Sequence, residues 1–248
     1  MLEPPPHSTP ELSVVTLCYQ AGEATRDLAA RIAASLKAAG ITNYEIVLVG
    51  NYVDGTDDPT PRIVRELADA DDRIQCSAVA KRGMMGWDMR SGLELARGAS
   101  LAIFDGDGQI VVEDLARGFH ELRRRELDLI IARRVRRGDG FVRKAMSMVF
   151  NALFRLLFPG LKSSDVNAKP KILTRAAFER LELTSDDWFI DAEILIQARR
   201  FGLRVGEFDT EFLGLTGRYS FVNLRAVLEF VGNLARHRVR EFGRRREE

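Results

Sequence analysis

Residues 100–109 read SLAIFDGDGQ. Ser100 to Phe104 is a short, mostly apolar run, and it stops abruptly at the polar turn Asp105-Gly106-Asp107-Gly108-Gln109. Such a run bounded by turn residues reads as a strand. The same punctuation repeats outward in both directions. Towards the N-terminus come a helix over Gly86–Arg97 stopped by Gly98, a strand over Arg73–Val79, and a helix that Pro61 opens and that runs to Ala70. Further out lie the strand Tyr44–Val49, a helix over Glu23–Ala39 ended by Gly40, and the strand Leu12–Tyr19. Beyond the turn follow a helix over Glu113–Arg125 and a strand over Leu127–Ala132. Alternating strands and helices predict an α/β fold, a mainly parallel sheet flanked by helices. Ligands of such sheets bind outside the carboxyl ends of the strands. That rule selects the polar segments after Val49 and Phe104, namely Asn51–Asp54 and Asp105–Gln109.

The second half is less regular. Val142–Phe158 has the spacing of an amphipathic helix, Ser164–Leu173 reads as extended around Pro170, Asp191–Phe201 as a helix, Leu203–Phe212 as a strand, and Phe221–Phe242 as an amphipathic helix. With no repeat and no linker, the expected organisation is a lead-in over 1–11, one domain over 12–222, and a basic C-terminal helix and tail over 223–248.

The chain has 248 residues and a formal net charge of +1, which argues against bulk nucleic-acid binding. Basic residues are nevertheless clustered, in Ala132–Lys144 (ARRVRRGDGFVRK) and again in Arg236–Arg246. Each cluster reads either as a solvated face or as a contact for phosphates or an anionic membrane. Cys18 and Cys76 lie far apart in apolar runs and read as reduced, buried thiols. His7, His120 and His237 form no zinc-type cluster. The N-terminal MLEPPPHSTPE is Pro-rich and lacks the apolar core of a secretory signal. No run approaches the ~20 apolar residues of a membrane helix. A cytoplasmic protein, in peripheral contact with the membrane or free of it, is expected.

Residues two apart at a strand end share a face, so Asp105 and Asp107 can approach one cation, with Gly106 leaving room for a ligand. Hard divalent cations take oxygen ligands and complete their shell with substrate phosphates. Gln109 can add a carbonyl oxygen. By itself a D-x-D is a weak signal and reads first as a Gly-rich turn with solvated acids.

More than the D-x-D matches, however. The segment GMMGWDMRSGLELARGASLAIFDGDGQIVVEDL, Gly83–Leu115, resembles the family 2 glycosyltransferases, and among them the polyprenyl-phosphate mannose and glucose synthases. The resemblance extends through Arg143-x3-Ser147-x3-Asn151, Asp165 with Lys169–Arg175, Trp188–Glu193, the strand Arg204–Thr210 and Arg218-Tyr219-Ser220. It implies a GT-A (Rossmann-like) fold with a C-terminal helical elaboration. It also implies inverting, Mg²⁺- or Mn²⁺-assisted transfer of a hexose from a nucleotide-diphosphate sugar to a polyprenyl phosphate. The implied donor site comprises Tyr19, Asn51, Asp54, Arg82, Asp105 and Asp107, with Asp105, Asp107 and Gln109 at the metal. Arg134, Arg143, Ser147 and Asn151 fall on the acceptor-phosphate side.

Two strand ends depart from the family pattern. The first strand ends Leu17-Cys18-Tyr19-Gln20-Ala21, keeping only the tyrosine of a Pro-x-Tyr-Asn-Glu-like sequence. The second ends Gly50-Asn51-Tyr52-Val53-Asp54-Gly55, where the family usually has two aspartates followed by Gly-Ser. Asn51 can still accept and donate, and Asp54 lies close by in sequence.

The acceptor decides what else is needed. A hydroxyl must be deprotonated by a positioned base. A phosphate monoester, with a second pKa near ~6, is already ionised and needs positive charge instead. Asp191 is the first candidate base or sugar ligand, or else a helix N-cap. Asp165 is either a second candidate base or an anchor for Arg143 or Lys169, and Glu193 reads as structural. The apolar excess of the Val142–Phe158 helix fits a lipid tail, core packing or a homodimer contact. Two alternatives stand beside the lipid acceptor: a soluble or glycan hydroxyl with Asp191 as base, and nucleotide-sugar binding without turnover.

Overall fold

The computed structural model describes residues 9–137, 152, 154–160, 163–212 and 232–234. In chain order the elements are β1 (Leu12–Leu17), α1 (Ala24–Ala38), β2 (Tyr44–Val49), α2 (Thr60–Ala70), β3 (Ile74–Ser77), α3 (Met85–Leu95) and β4 (Ser100–Asp105). They continue with α4 (Glu113–Arg124), β5 (Leu129–Arg137), β6 (Lys171–Thr174), α5 (Arg175–Phe178), α6 (Ile190–Arg200) and β7 (Val205–Phe212). The expected helix over Val142–Phe158 lies mostly outside the described residues, as does the one over Phe221–Phe242.

The strands form one seven-stranded sheet in the order β3-β2-β1-β4-β6-β5-β7. Pairing is parallel from β3 through β4 and again between β5 and β7. Alternate residues of each central strand feed opposite faces, as the pleat requires. Val15, Val49, Leu101 and Ile103 pack under α3 and α6 with Met89, Leu93, Ile190 and Ile194. Val14, Leu48, Ala102 and Phe104 pack under α1 and α4 with Ile32, Leu36, Leu115 and Phe119. Burial on both faces explains why β2 is apolar at nearly every position, Glu45 excepted. The Glu45 carboxylate accepts hydrogen bonds from Ser13 Oγ at 2.6 Å and Gln75 Nε2 at 2.8 Å, and pairs with Arg97 at 2.9 Å.

One strand breaks the parallel pattern. β6 runs antiparallel to both β4 and β5, pairing Lys171 with Ile103 and with Ile131. The extended reading of Ser164–Leu173 carries no direction, and direction matters here. An antiparallel strand begins where its neighbours end, so β6 delivers Lys169 and Lys171 to the carboxyl ends of β4 and β5. No helix among the described residues is long and apolar enough to cross a membrane.

Candidate active site

The strand order reverses between β1 and β4, which creates a crevice at their carboxyl ends. Asp105 is the last residue of β4 and stands opposite Leu17. The Gly106 N–H donates to the Leu17 carbonyl at 2.9 Å. A Cβ on Gly106 would sit 2.6 Å from that oxygen and 3.2 Å from Cys18 Cα, so the two strand ends close only over glycine. The chain then turns: Asp107 Oδ1 accepts the Gln109 N–H at 3.0 Å, and Gly108 has φ +77°. Asp105 and Asp107 are half-buried and Gln109 is buried. Two partly open carboxylates flanking a glycine fit a hard cation that draws its other oxygens from phosphate and water. Among the described residues no group of three or more His, Cys, Asp and Glu could hold a metal by itself.

Behind the turn lies a buried charge cluster. Lys169 Nζ is 3.3 Å from Asp105 Oδ1 and 2.9 Å from Asp191 Oδ2. Lys171 Nζ reaches Asp191 Oδ1 at 2.6 Å and the Ala168 carbonyl at 2.8 Å. The side chains of Lys169, Lys171 and Asp191 are 2%, 0% and 1% exposed. Asp191 sits in the first turn of α6, whose N-cap position is Phe189, so it is not the cap. Burial alone would raise Asp191, but Lys169 and Lys171 outweigh it and hold the carboxyl below the usual aspartate value. Burial would lower Lys169, yet the two carboxylates facing it keep its ammonium above the ordinary lysine value. Lys171, equally buried but bonded to a single carboxylate, is pushed down by its burial.

On the donor side, Asn51 is committed internally. Its Oδ1 accepts from Ser77 Oγ at 2.8 Å and the Val79 N–H at 3.1 Å, while its Nδ2 donates to Asp88 Oδ1 at 3.0 Å and Ser91 Oγ at 2.9 Å. Those bonds fill the capacity of the amide, so Asn51 acts as a hub at the end of β2 and offers nothing further to a ligand. Asp88 also pairs with Lys81, whose ammonium lies 4.0 Å from the centroid of the Tyr19 ring. Burial pushes the Asp88 carboxyl up, against the opposing pull of Lys81 and Asn51. Arg82 and Asp54 are exposed on the loops that follow β3 and β2.

Arg134, near the carboxyl end of β5, makes a two-pronged pair with Asp165: Nε to Oδ2 and Nη2 to Oδ1, both 2.7 Å. Asp165 thus anchors Arg134 rather than Lys169. Arg143, Ser147 and Asn151 lie outside the described residues. Glu193 is structural, as expected, accepting the Thr184 and Ser185 N–H groups at 3.1 and 2.9 Å. Cys18 is buried and its thiol is pushed up to about 12 by desolvation, whereas Cys76 is only half-buried.

The two halves of the site are joined by backbone. Met84 and Gly86 N–H groups donate to the Asp186 and Asp187 carbonyls at 2.7 and 3.0 Å. A Cβ on Gly86 would fall 2.4 Å from the Ser185 carbonyl oxygen, so the start of α3 seats on the turn before α6 only as glycine.

The model of "Glycosyl transferase family 2" matches residues 13–182. The chain belongs to that family. Glycosyltransferase AglD of Haloferax volcanii is 33% identical over 172 residues, 64% of this chain and 26% of that protein. Dodecaprenyl-phosphate galacturonate synthase of Rhizobium johnstonii is 29% identical over 178 residues, 71% of this chain and 51% of that protein. The matched region is thus about a quarter and about half of the length of these relatives. Mannosyl-3-phosphoglycerate synthase from Rubrobacter xylanophilus superimposes with TM-score 0.70 at 18% identity, covering 94% of this chain and 75% of that one. Glucosyl-3-phosphoglycerate synthase from Mycobacterium tuberculosis, solved with Mn²⁺, UDP and phosphoglyceric acid, gives 0.65 at 15% identity, over 93% and 76% of the two chains. These superpositions establish a GT-A fold for this family 2 glycosyltransferase domain.

The pairings of four residues escape a reading by motif: Lys81 with Asp88, and Lys169 and Lys171 with Asp191. A faint signal existed for each pair. Asp88 falls on the buried face of α3 with Met89, Gly92 and Leu93, and the two lysines flank Pro170 in an otherwise apolar run. A charge at a core position needs a buried counter-charge.

Proposed function

We propose that the protein transfers a hexose, with inversion, from a nucleotide-diphosphate sugar to a polyprenyl phosphate. The state of the two candidate bases is the observation that carries the choice of acceptor. Asp191 is enclosed by two ammonium groups and Asp165 by the Arg134 fork. Asp191, held below the usual aspartate value by those ammonium groups, is a poor proton acceptor, and Asp165 is committed to Arg134. A hydroxyl nucleophile depends on such a base, whereas an ionised phosphate does not. Arg134, oriented by Asp165, is a guanidinium of the type that binds phosphate oxygens. The hydroxyl-acceptor alternative, with Asp191 as base, finds no support in this geometry.

Asp105 and Asp107 would hold Mg²⁺ or Mn²⁺ against the donor diphosphate, with Gln109 adjoining. The cation would supply charge to stabilise that leaving group. Tyr19 and Arg82 line the donor side, and Asn51 acts through Asp88 and Ser91. In the displacement itself, an acceptor phosphate oxygen forms a bond to the anomeric carbon. The bond from that carbon to the diphosphate breaks, and the diphosphate leaves with the electron pair. The acceptor in the name of the Rhizobium relative, a dodecaprenyl phosphate, supports this reading; the reaction we propose takes place at the cytoplasmic membrane face.

The test is sugar transfer from a panel of labelled nucleotide sugars, with Mn²⁺, in the presence of lipid vesicles. Label is expected in the lipid only when the vesicles carry polyprenyl phosphate. Equal labelling of vesicles lacking it overturns the acceptor. Donor binding detected as a raised Tm without transfer or hydrolysis overturns turnover altogether.

A further inference from the structure

Lys169 is not explained by donor or acceptor binding. Its ammonium lies 3.3 Å from one oxygen of Asp105, yet its side chain is only 2% exposed. It is held from behind by Asp191 at 2.9 Å and touches the Met85 sulfur at 3.6 Å. A surface lysine would swing aside for an incoming cation, but one enclosed on these sides is fixed in place. The charges also balance, because Asp105, Asp191, Lys169 and Lys171 together sum to zero. With Asp107 added, the crevice offers a divalent cation one net negative charge rather than two.

We propose that Lys169 is a tethered internal cation that weakens divalent-cation binding at Asp105-Gly106-Asp107, so that the metal enters together with the donor diphosphate rather than before it. This rests on the metal reading given above. The physical reason is repulsion between like charges a few ångströms apart, added to the loss of one Asp105 oxygen to the ammonium. A diphosphate brings the negative charge that the protein withholds. The order of binding is therefore built into β6, the antiparallel strand that brings Lys169 to the end of β4.

The test uses Mn²⁺ alone, followed by the electron paramagnetic resonance signal of the free ion. Lys169→Met is expected to bind Mn²⁺ about tenfold more tightly than the unaltered protein. Because Lys169→Met leaves Asp191 with Lys171 as its remaining lysine, a second variant guards against misfolding. Lys169→Met with Asp191→Asn removes one charge of each sign, frees Asp105, and is expected to tighten Mn²⁺ binding by a smaller factor. Circular dichroism confirms the fold of each. If both variants bind Mn²⁺ no more tightly than the unaltered protein while Asp107→Asn weakens binding, Lys169 has no such role and the metal site stands. If Asp107→Asn leaves Mn²⁺ binding unchanged in every background, the metal reading itself fails.

Discussion

Asp107→Asn is expected to lower the rate of sugar transfer by about 10²–10³-fold at saturating Mn²⁺, with the fold intact. The carboxylate occupies a turn position, where it accepts the Gln109 N–H at 3.0 Å, a bond that an Asn side-chain oxygen can keep. The substitution therefore removes charge and leaves the Asx-turn in place. Asp105 cannot compensate, because one of its oxygens already faces Lys169. A lost metal ligand is worth several kcal/mol of transition-state stabilisation at a leaving diphosphate. Steady-state rates across a Mn²⁺ titration check this. Full activity in the variant at any Mn²⁺ concentration would show that Asp107 is not a metal ligand.

Lys171→Met is expected to destabilise the fold by about 3 kcal/mol, near the lower end of what breaking a buried ion pair costs. The methionine keeps most of the stem, so packing changes little. What is lost is the bond to Asp191 at 2.6 Å and the bond to the Ala168 carbonyl at 2.8 Å. Asp191 retains Lys169, which holds the loss to the lower end. Denaturant titration should show a lower midpoint with an unchanged slope. Adding Asp191→Asn should recover much of the loss, since the uncompensated charge disappears with it. The pH dependence has a definite sign. The folded-state pKa of Asp191 is depressed, so its contribution is present above the unfolded aspartate value of ~3.9 and is lost as pH falls through the folded value. The gap between the unaltered protein and Lys171→Met should therefore narrow in acid below about pH 4.

The sheet was legible because periodicity reports burial directly. β1, β2 and β4 are buried on both faces, and their apolar runs end where the chain leaves the core. The D-x-D turn was legible for the same reason, as a polar break at the carboxyl end of an apolar strand. The direction of β6 was not, because four residues following a proline carry the same pattern whether parallel or antiparallel. The role of Asp191 was hidden by that same gap. Its position at the start of α6 suggested a cap or a base, and its partners Lys169 and Lys171 reach it only through the antiparallel strand. The internal bonds of Asn51 were hidden in a different way. An amide at a strand end reads as available for a ligand, and nothing local in the sequence announces that Ser77, Val79, Asp88 and Ser91 converge on it.

The central claim is that the acceptor arrives already ionised, so that no protein base is needed. It is tested most directly by offering the protein, its preferred nucleotide sugar and Mn²⁺ a polyprenyl phosphate and the corresponding polyprenol in matched vesicles. Transfer to the phosphate, with none above background to the alcohol, is the predicted result. Comparable transfer to the alcohol would contradict it.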